Sequence, residues 1–379
     1  MDARARTQPL AFLRHLAWAF YYLVLPGLAF PSLLLLLRAA TWRGHLGGLA
    51  AVALVSLPLV WRLRRNRRWP VAAAVAPVIL AVIALPLAAP SGVPPAGSGV
   101  VSTWPQAEGY RRYSLWNLVP EIDQAAAGIS AAAVFDDRIW RATGRIRGLV
   151  LPAYRELEAD PAFASLGSTM NYAYADVLGG TFDVGHFYAY VPQHAAGERL
   201  PTILFLHGSV GNFQVYLWAW KRFADRNRFV VVCPSFGFGL WDRRGGAEAA
   251  LRALDRAEAD LPIDPSRVWL AGLSNGGLGV TRAGARAPER FRGLVYLSGV
   301  VEDDWMTSPE FVEAWRGRPV LIVHGDRDDR VPMEYVSALV PRMEALGVTV
   351  TLRLHAGEDH FLFLSSLDAV LADLEAWVK

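Results

Sequence analysis

The pentapeptide Gly272-Leu273-Ser274-Asn275-Gly276 follows an apolar run from Arg267 to Ala271 and precedes a small-residue stretch of helical character. A serine hydroxyl becomes a useful nucleophile when a sharp strand-to-helix turn pushes its Oγ out beside a base. Glycines two residues to either side remove side chains that would clash in so tight a turn. Such a serine needs a base, an acid to orient that base, and amide donors for the oxyanion, and each has candidates downstream or upstream. His360, in the segment 357–361 after the last predicted strand, is the candidate base. In His324-Gly-Asp-Arg-Asp-Asp-Arg-Val-Pro332, Asp326, Asp328 and Asp329 all qualify as the acid. The interval between the His-Gly and Val-Pro pairs points to Asp328, leaving Asp326 and Asp329 to the turn or to solvent. Glu302, Asp303 and Asp304, after the preceding strand, are an alternative source. The turn His207-Gly-Ser-Val-Gly211 closes another apolar strand and presents backbone N–H groups. That of Ser209, or of Val210, would form an oxyanion hole with that of Asn275. His207, His324 and His355 read as structural.

The elements that must hold these residues begin at Thr181. Predicted strands at Thr181–Val191, Pro201–Leu206, Phe229–Cys233, Arg267–Ala271, Gly293–Leu297, Pro319–Val323 and Val348–Leu354 alternate with helices at Phe213–Asn227, at Gly246–Asp260, from Gly276, from Pro332 and at the C-terminal end. That alternation predicts an α/β unit with a mostly parallel sheet covered on both faces. Residues 110–180 have helical character and read as a membrane-proximal or cap-like region, with structural packing as the plainer assignment. Residues 91–109, rich in Gly, Pro and Ser, read as a flexible linker.

Residues 1–90 read as a membrane anchor. Leu16–Leu37, Gly44–Trp61 and Pro70–Pro90 are each near the roughly 20 apolar residues a helix needs to cross a bilayer. The alternative of a cleaved signal peptide fits less well, because two further apolar segments follow and the first lacks a small-residue cleavage site. Arginines set the orientation. The tail (Arg4, Arg6, Arg14) and the second connection (Arg62 to Arg68) are richer than the first connection (Arg38, Arg43), so three crossings put the C-terminal unit on the extracytoplasmic side. Two crossings would reverse it. The net charge of +3 arises in this region. The first 70 residues hold ten arginines and one acid, leaving the remainder at −6. A nucleic-acid footprint on that remainder is therefore not expected. The spans carry few polar residues apart from His45, which argues against a transporter. Cys233, the only cysteine, excludes an internal disulfide.

The order Ser274, Asp328, His360, together with the stretch Ile263 to Gly277, resembles the α/β-hydrolase superfamily. The likeness covers roughly Thr181 to Lys379. It is greatest to the polyesterase, feruloyl-esterase and dienelactone-hydrolase-like branches, and the prolyl-oligopeptidase catalytic domain is similar as well. The resemblance implies an eight-stranded, mostly parallel sheet and no metal or organic cofactor. It implies a serine hydrolase without fixing the bond cleaved; a membrane-anchored hydrolase of carboxylic esters, with a small-molecule or lipid-like ester as substrate, is the leading expectation. A peptidase or acyltransferase of the same fold, and a non-enzymatic membrane protein reusing it, are the alternatives. Phe236, Phe238, Trp241, Trp305, Met306 and Phe361 fall where the family places pocket loops and would line an apolar substrate pocket. Oligomeric state is not set by any of these features.

Overall fold

Eight strands form one sheet in the order β1-β2-β4-β3-β5-β6-β7-β8. They are β1 Val100–Ser102, β2 Phe187–Tyr190, β3 Leu200–Leu206, β4 Val230–Pro234, β5 Ile263–Leu273, β6 Gly293–Leu297, β7 Pro319–Gly325 and β8 Thr349–His355. The computed structural model describes residues 3–64, 67–103 and 112–379. Residues 104–109 of the predicted linker, Tyr110, and Arg65 of the basic connection lie outside the described residues. From β4 to β8 every pairing is parallel, while β1 and β2 run antiparallel at one edge. The central strands are continuous apolar runs, as sheets buried on both faces require. In β4, Val230, Val231, Val232 and Cys233 are all buried, and burial pushes the Cys233 thiol well above its ordinary value.

The chain divides into two compact units, Met1–Ala89 with Leu115–Arg147, and Pro90–Ser114 with Gly148–Lys379. This differs from the sequence reading in three ways. The expected 110–180 region is shared between the units. The expected linker contains β1, which pairs Val100 with Tyr190 and Ser102 with Tyr188. Three residues are too few to show an alternating pattern, so composition alone could not reveal that strand. Thirdly, the strand expected over Thr181–Val191 is confined to β2, and Thr181–Val184 closes a turn instead.

In the first unit, α1 (Ala3–Arg38), α2 (Trp42–Leu63) and α3 (Trp69–Ala88) are long and apolar enough to cross a membrane. Gly48 permits α1 and α2 to touch, since a Cβ there would lie 2.4 Å from the Leu36 amide nitrogen. A further long helix, α4 (Glu121–Phe135), belongs with them. Its buried Asp123 accepts from the amides of Ala40 (2.6 Å) and Thr41 (3.0 Å) and from the Thr41 hydroxyl (2.5 Å). The carboxylate thus satisfies donors at the start of α2 that the helix itself leaves unpaired.

In the second unit α5 (Asp137–Ala159), which begins in the first, leads to α6 (Pro161–Leu166) and α7 (Met170–Gly179). Around the sheet lie α8 (Gln214–Asn227), α9 (Gly246–Asp260), α10 (Gly276–Arg286), α11 (Met333–Ala345) and α12 (Leu367–Val378). Phe205 packs with Trp220 and Phe363 on one side of the sheet. Phe236, Trp241, Met306 and Trp315 belong to the main buried core.

Candidate functional site

Ser274 occupies the turn between β5 and α10 with φ +52°. A non-glycine residue there carries roughly 1–3 kcal/mol of strain, and the surroundings must hold it. Its amide donates to Leu297 O (3.0 Å), and its carbonyl accepts from the Gly277 and Val300 amides (3.0 Å each). The flanking glycines have separate reasons. A Cβ on Gly272 would lie 2.5 Å from the Gly276 carbonyl carbon, and one on Gly276 would lie 2.1 Å from Leu206 O, so β3 passes against the turn.

His360 follows β8. Its Nδ1–H donates to Asp328 Oδ2 at 2.8 Å, and its Nε2 lies 3.0 Å from Ser274 Oγ, placed to accept the hydroxyl proton. The three side chains that the sequence separates by up to 86 positions therefore form one hydrogen-bonded chain. Asp328 is buried, and its second oxygen, Oδ1, accepts from the amides of Arg330 and Val331 (2.9 Å each). Burial raises its pKa, but the hydrogen bond and charge of His360 and the two amides outweigh that, so the carboxyl sits below its usual range. Gly325 lets the β7 and β8 loops meet: a Cβ there would lie 2.3 Å from Glu358 O. Asp326, exposed, ties the same loops by accepting from the Gly357 amide (2.7 Å). Glu302 pairs with Arg282 and Asp303 with Arg342, while Asp304 is exposed, so the alternative acids lie on other partners or in solvent.

The remaining histidines are structural in geometry. His207 donates from Nδ1 to Gly208 O (2.8 Å) and accepts at Nε2 from the Phe236 amide (3.2 Å). Burial pushes its pKa down to about 4, so it is neutral. His324 donates from Nε2 to Val331 O (2.8 Å), and burial likewise lowers its pKa. Its Nδ1 is buried with no hydrogen-bond partner among the described residues. His355 pairs with Asp373 (2.9 Å).

The loop after β3 lies beside the nucleophile, since a Cβ on Gly208 would sit 3.3 Å from Ser274 Cβ. Val210 N–H is committed to Phe238 O (2.9 Å). The amides of Ser209 and Asn275 have no hydrogen-bond acceptor among the described residues, and Asn275 is the N-cap of α10. Of the two alternatives for the first donor, the structure leaves Ser209 open.

The six aromatic and sulfur positions divide into a buried and a more open group. Phe236, Trp241 and Met306 are at most 3% exposed and lie in the sheet core, where Phe236 stacks on Trp241 (5.4 Å). Trp241 Nε1 donates to His207 O (2.8 Å), so its indole braces the loop from below. Aromatic composition alone does not separate a pocket wall from a loop anchor. Phe238 is 37% exposed against Tyr174, Trp305 is half-buried under Arg282, and Phe361 is half-buried edge-on to His360.

One contributor escaped the sequence reading. The Tyr335 hydroxyl donates to Val301 O (3.0 Å) and accepts from Val301 N (2.9 Å), fixing the segment whose Val300 amide holds Ser274 O. A tyrosine in an amphipathic helix carries no signal that would mark this role.

Residues 247–378 match the Phospholipase/Carboxylesterase family, a stretch shorter than half the chain. A bifunctional acetylxylan esterase/xylanase from Neocallimastix patriciarum is 29% identical over 159 residues, covering 40% of this chain and 23% of the relative. Dipeptidyl-peptidase 5 from Porphyromonas endodontalis is 25% identical over 244 residues, covering 50% and 35%. The chain thus spans about a quarter to a third of the length of these two relatives. Acyl-protein thioesterase 1 from Gibberella zeae is 29% identical over 215 residues, covering 48% of this chain and 92% of its own. The fold is that of the α/β hydrolases, with eight mostly parallel strands and helices on both faces.

Proposed function

We propose that this chain is a membrane-anchored serine hydrolase that cleaves carboxylic esters. The observation that carries the reading is the position of His360, within hydrogen-bond reach of both Ser274 Oγ (3.0 Å) and Asp328 (2.8 Å). In the reaction Ser274 Oγ attacks the ester carbonyl as His360 Nε2 takes its proton. The amides of Ser209 and Asn275 stabilise the oxyanion, and the alcohol leaves with the proton from His360. Water, deprotonated by the same imidazole, then attacks the acyl-enzyme and releases the acid. Asp328 keeps Nδ1 protonated and balances the imidazolium. The matches to an acetylxylan esterase and an acyl-protein thioesterase support acyl transfer to water.

The full chain in detergent should label with a fluorophosphonate and turn over short activated esters faster than matched amides. Absence of both labelling and turnover would sink the assignment. A peptidase is the second reading, favoured by the match to dipeptidyl-peptidase 5. Amide turnover exceeding ester turnover would select it.

The three apolar helices support anchoring, and the arginine asymmetry supports an extracytoplasmic catalytic unit. A reporter fused after Lys379 should read as external. A cytoplasmic signal would reverse the orientation.

A further inference from the structure

The loop that offers the Ser209 amide is strained. Val210 has φ +81°, a region that β-branched residues avoid, and Gly211 follows at φ +131°. Something must hold the loop in place. A backbone tie to the β4 loop runs from the Val210 amide to Phe238 O, and that second loop is itself held from α7. Asp176, fully buried in α7, accepts from the Gly237 amide through Oδ2 (2.8 Å). Its Oδ1 accepts from the Thr181 hydroxyl (2.9 Å) and lies 3.2 Å from His186 Nε2. Gly237 (φ +50°) and Gly239 (φ +82°) let the β4 loop press on the β3 loop. A Cβ on Gly239 would lie 2.2 Å from Gly208 O and 3.3 Å from Ser209 Cα. From the other side, Met170 of α7 reaches Gly211, where a Cβ would meet its Cε at 2.7 Å.

We propose that Asp176 is a positioning residue for the oxyanion hole, setting the Ser209 amide through Gly237, Phe238 and Val210. The proposal rests on the reading above that Ser209 N–H binds the oxyanion. A buried carboxylate is expensive to desolvate, and a helix that only packed would be served as well by an apolar residue. Here the carboxylate gathers donors from the end of its own helix, from His186 ahead of β2 and from the loop after β4. It converts them into one fixed backbone path ending beside Ser274.

The test uses the full chain in detergent, with Asp176→Ala and Asp176→Asn. The readouts are kcat and KM for a short activated ester, and affinity for an aryl trifluoromethyl ketone. Ser274 Oγ adds to that ketone, its proton passes to His360, and the resulting hemiketal oxyanion occupies the hole. Removing an oxyanion donor outright lowers kcat by about 10²–10³, so displacing one should give about 10–100-fold in D176A. KM should stay within about twofold, and ketone affinity should fall in parallel with kcat. D176N should be intermediate, because a neutral oxygen accepts more weakly than a charged one. Unchanged kcat and ketone affinity in D176A, or a rise in KM alone, overturns the proposal. If D176A does not fold, D176N decides, and wild-type kcat and ketone affinity in it overturn the proposal. No Ser274-dependent turnover in the wild type would instead sink the proposed function, and this inference with it.

Discussion

Replacing Ser274 with alanine is expected to lower kcat toward a short activated ester by at least about 10³-fold while leaving the chain folded. Among the described residues, the Oγ makes one side-chain hydrogen bond, to His360. The turn is held by backbone contacts to Leu297, Gly277 and Val300, which alanine keeps. Alanine tolerates φ +52° about as well as serine, so native strain is unchanged. What disappears is the atom that forms the acyl-enzyme, and the remaining amides can polarise a carbonyl without supplying a nucleophile. Turnover in parallel preparations measures the effect, with circular dichroism to confirm folding. Equal activity in the two proteins would end the assignment of Ser274.

The parts of this site that were legible in the sequence share a physical reason. Ser274 stands out because its turn excludes side chains at two fixed positions, and the contacts at Gly272 and Gly276 are that exclusion in three dimensions. Asp328 and His360 stand out because each follows a predicted strand at a loop with no other obvious duty. Parallel strands place such loops at one edge of a sheet. The strands themselves were legible where burial on both faces demands unbroken apolar runs, as in β4. Features that depend on backbone partners were not. The three-residue β1 is defined by its register with β2, and Trp241 by a bond to His207 O. Asp123 and Asp176 look like ordinary helix acids until the donors they gather from distant segments are seen. The core positions of Phe236, Trp241 and Met306 were hidden for the same reason, since they are placed by what packs around them.

Asp328→Asn is expected to lower kcat by about 10³–10⁴-fold with the fold retained. The loss comes from how the carboxylate is shared. Oδ1 accepts from two amides, Arg330 and Val331, and only an oxygen can take that position. An asparagine at 328 must therefore turn its NH₂ toward His360 Nδ1. That nitrogen becomes an acceptor, the ring proton moves to Nε2, and the atom facing Ser274 Oγ can no longer receive a proton. KM should change little, because no substrate contact is lost. The same substitution separates chemistry from stability across pH. The folded carboxyl of Asp328 titrates below its ordinary value of 3.8. The ionised group therefore contributes stability that is fully present above the unfolded value and is lost as pH falls through the folded one. Urea midpoints of wild type and D328N should differ at pH 6–7 and converge as the pH drops below about 4. A gap that persists or widens in acid would mean that Asp328 is not held ionised by His360 and its amides. A wild-type kcat in D328N would remove the carboxylate from the proton path altogether.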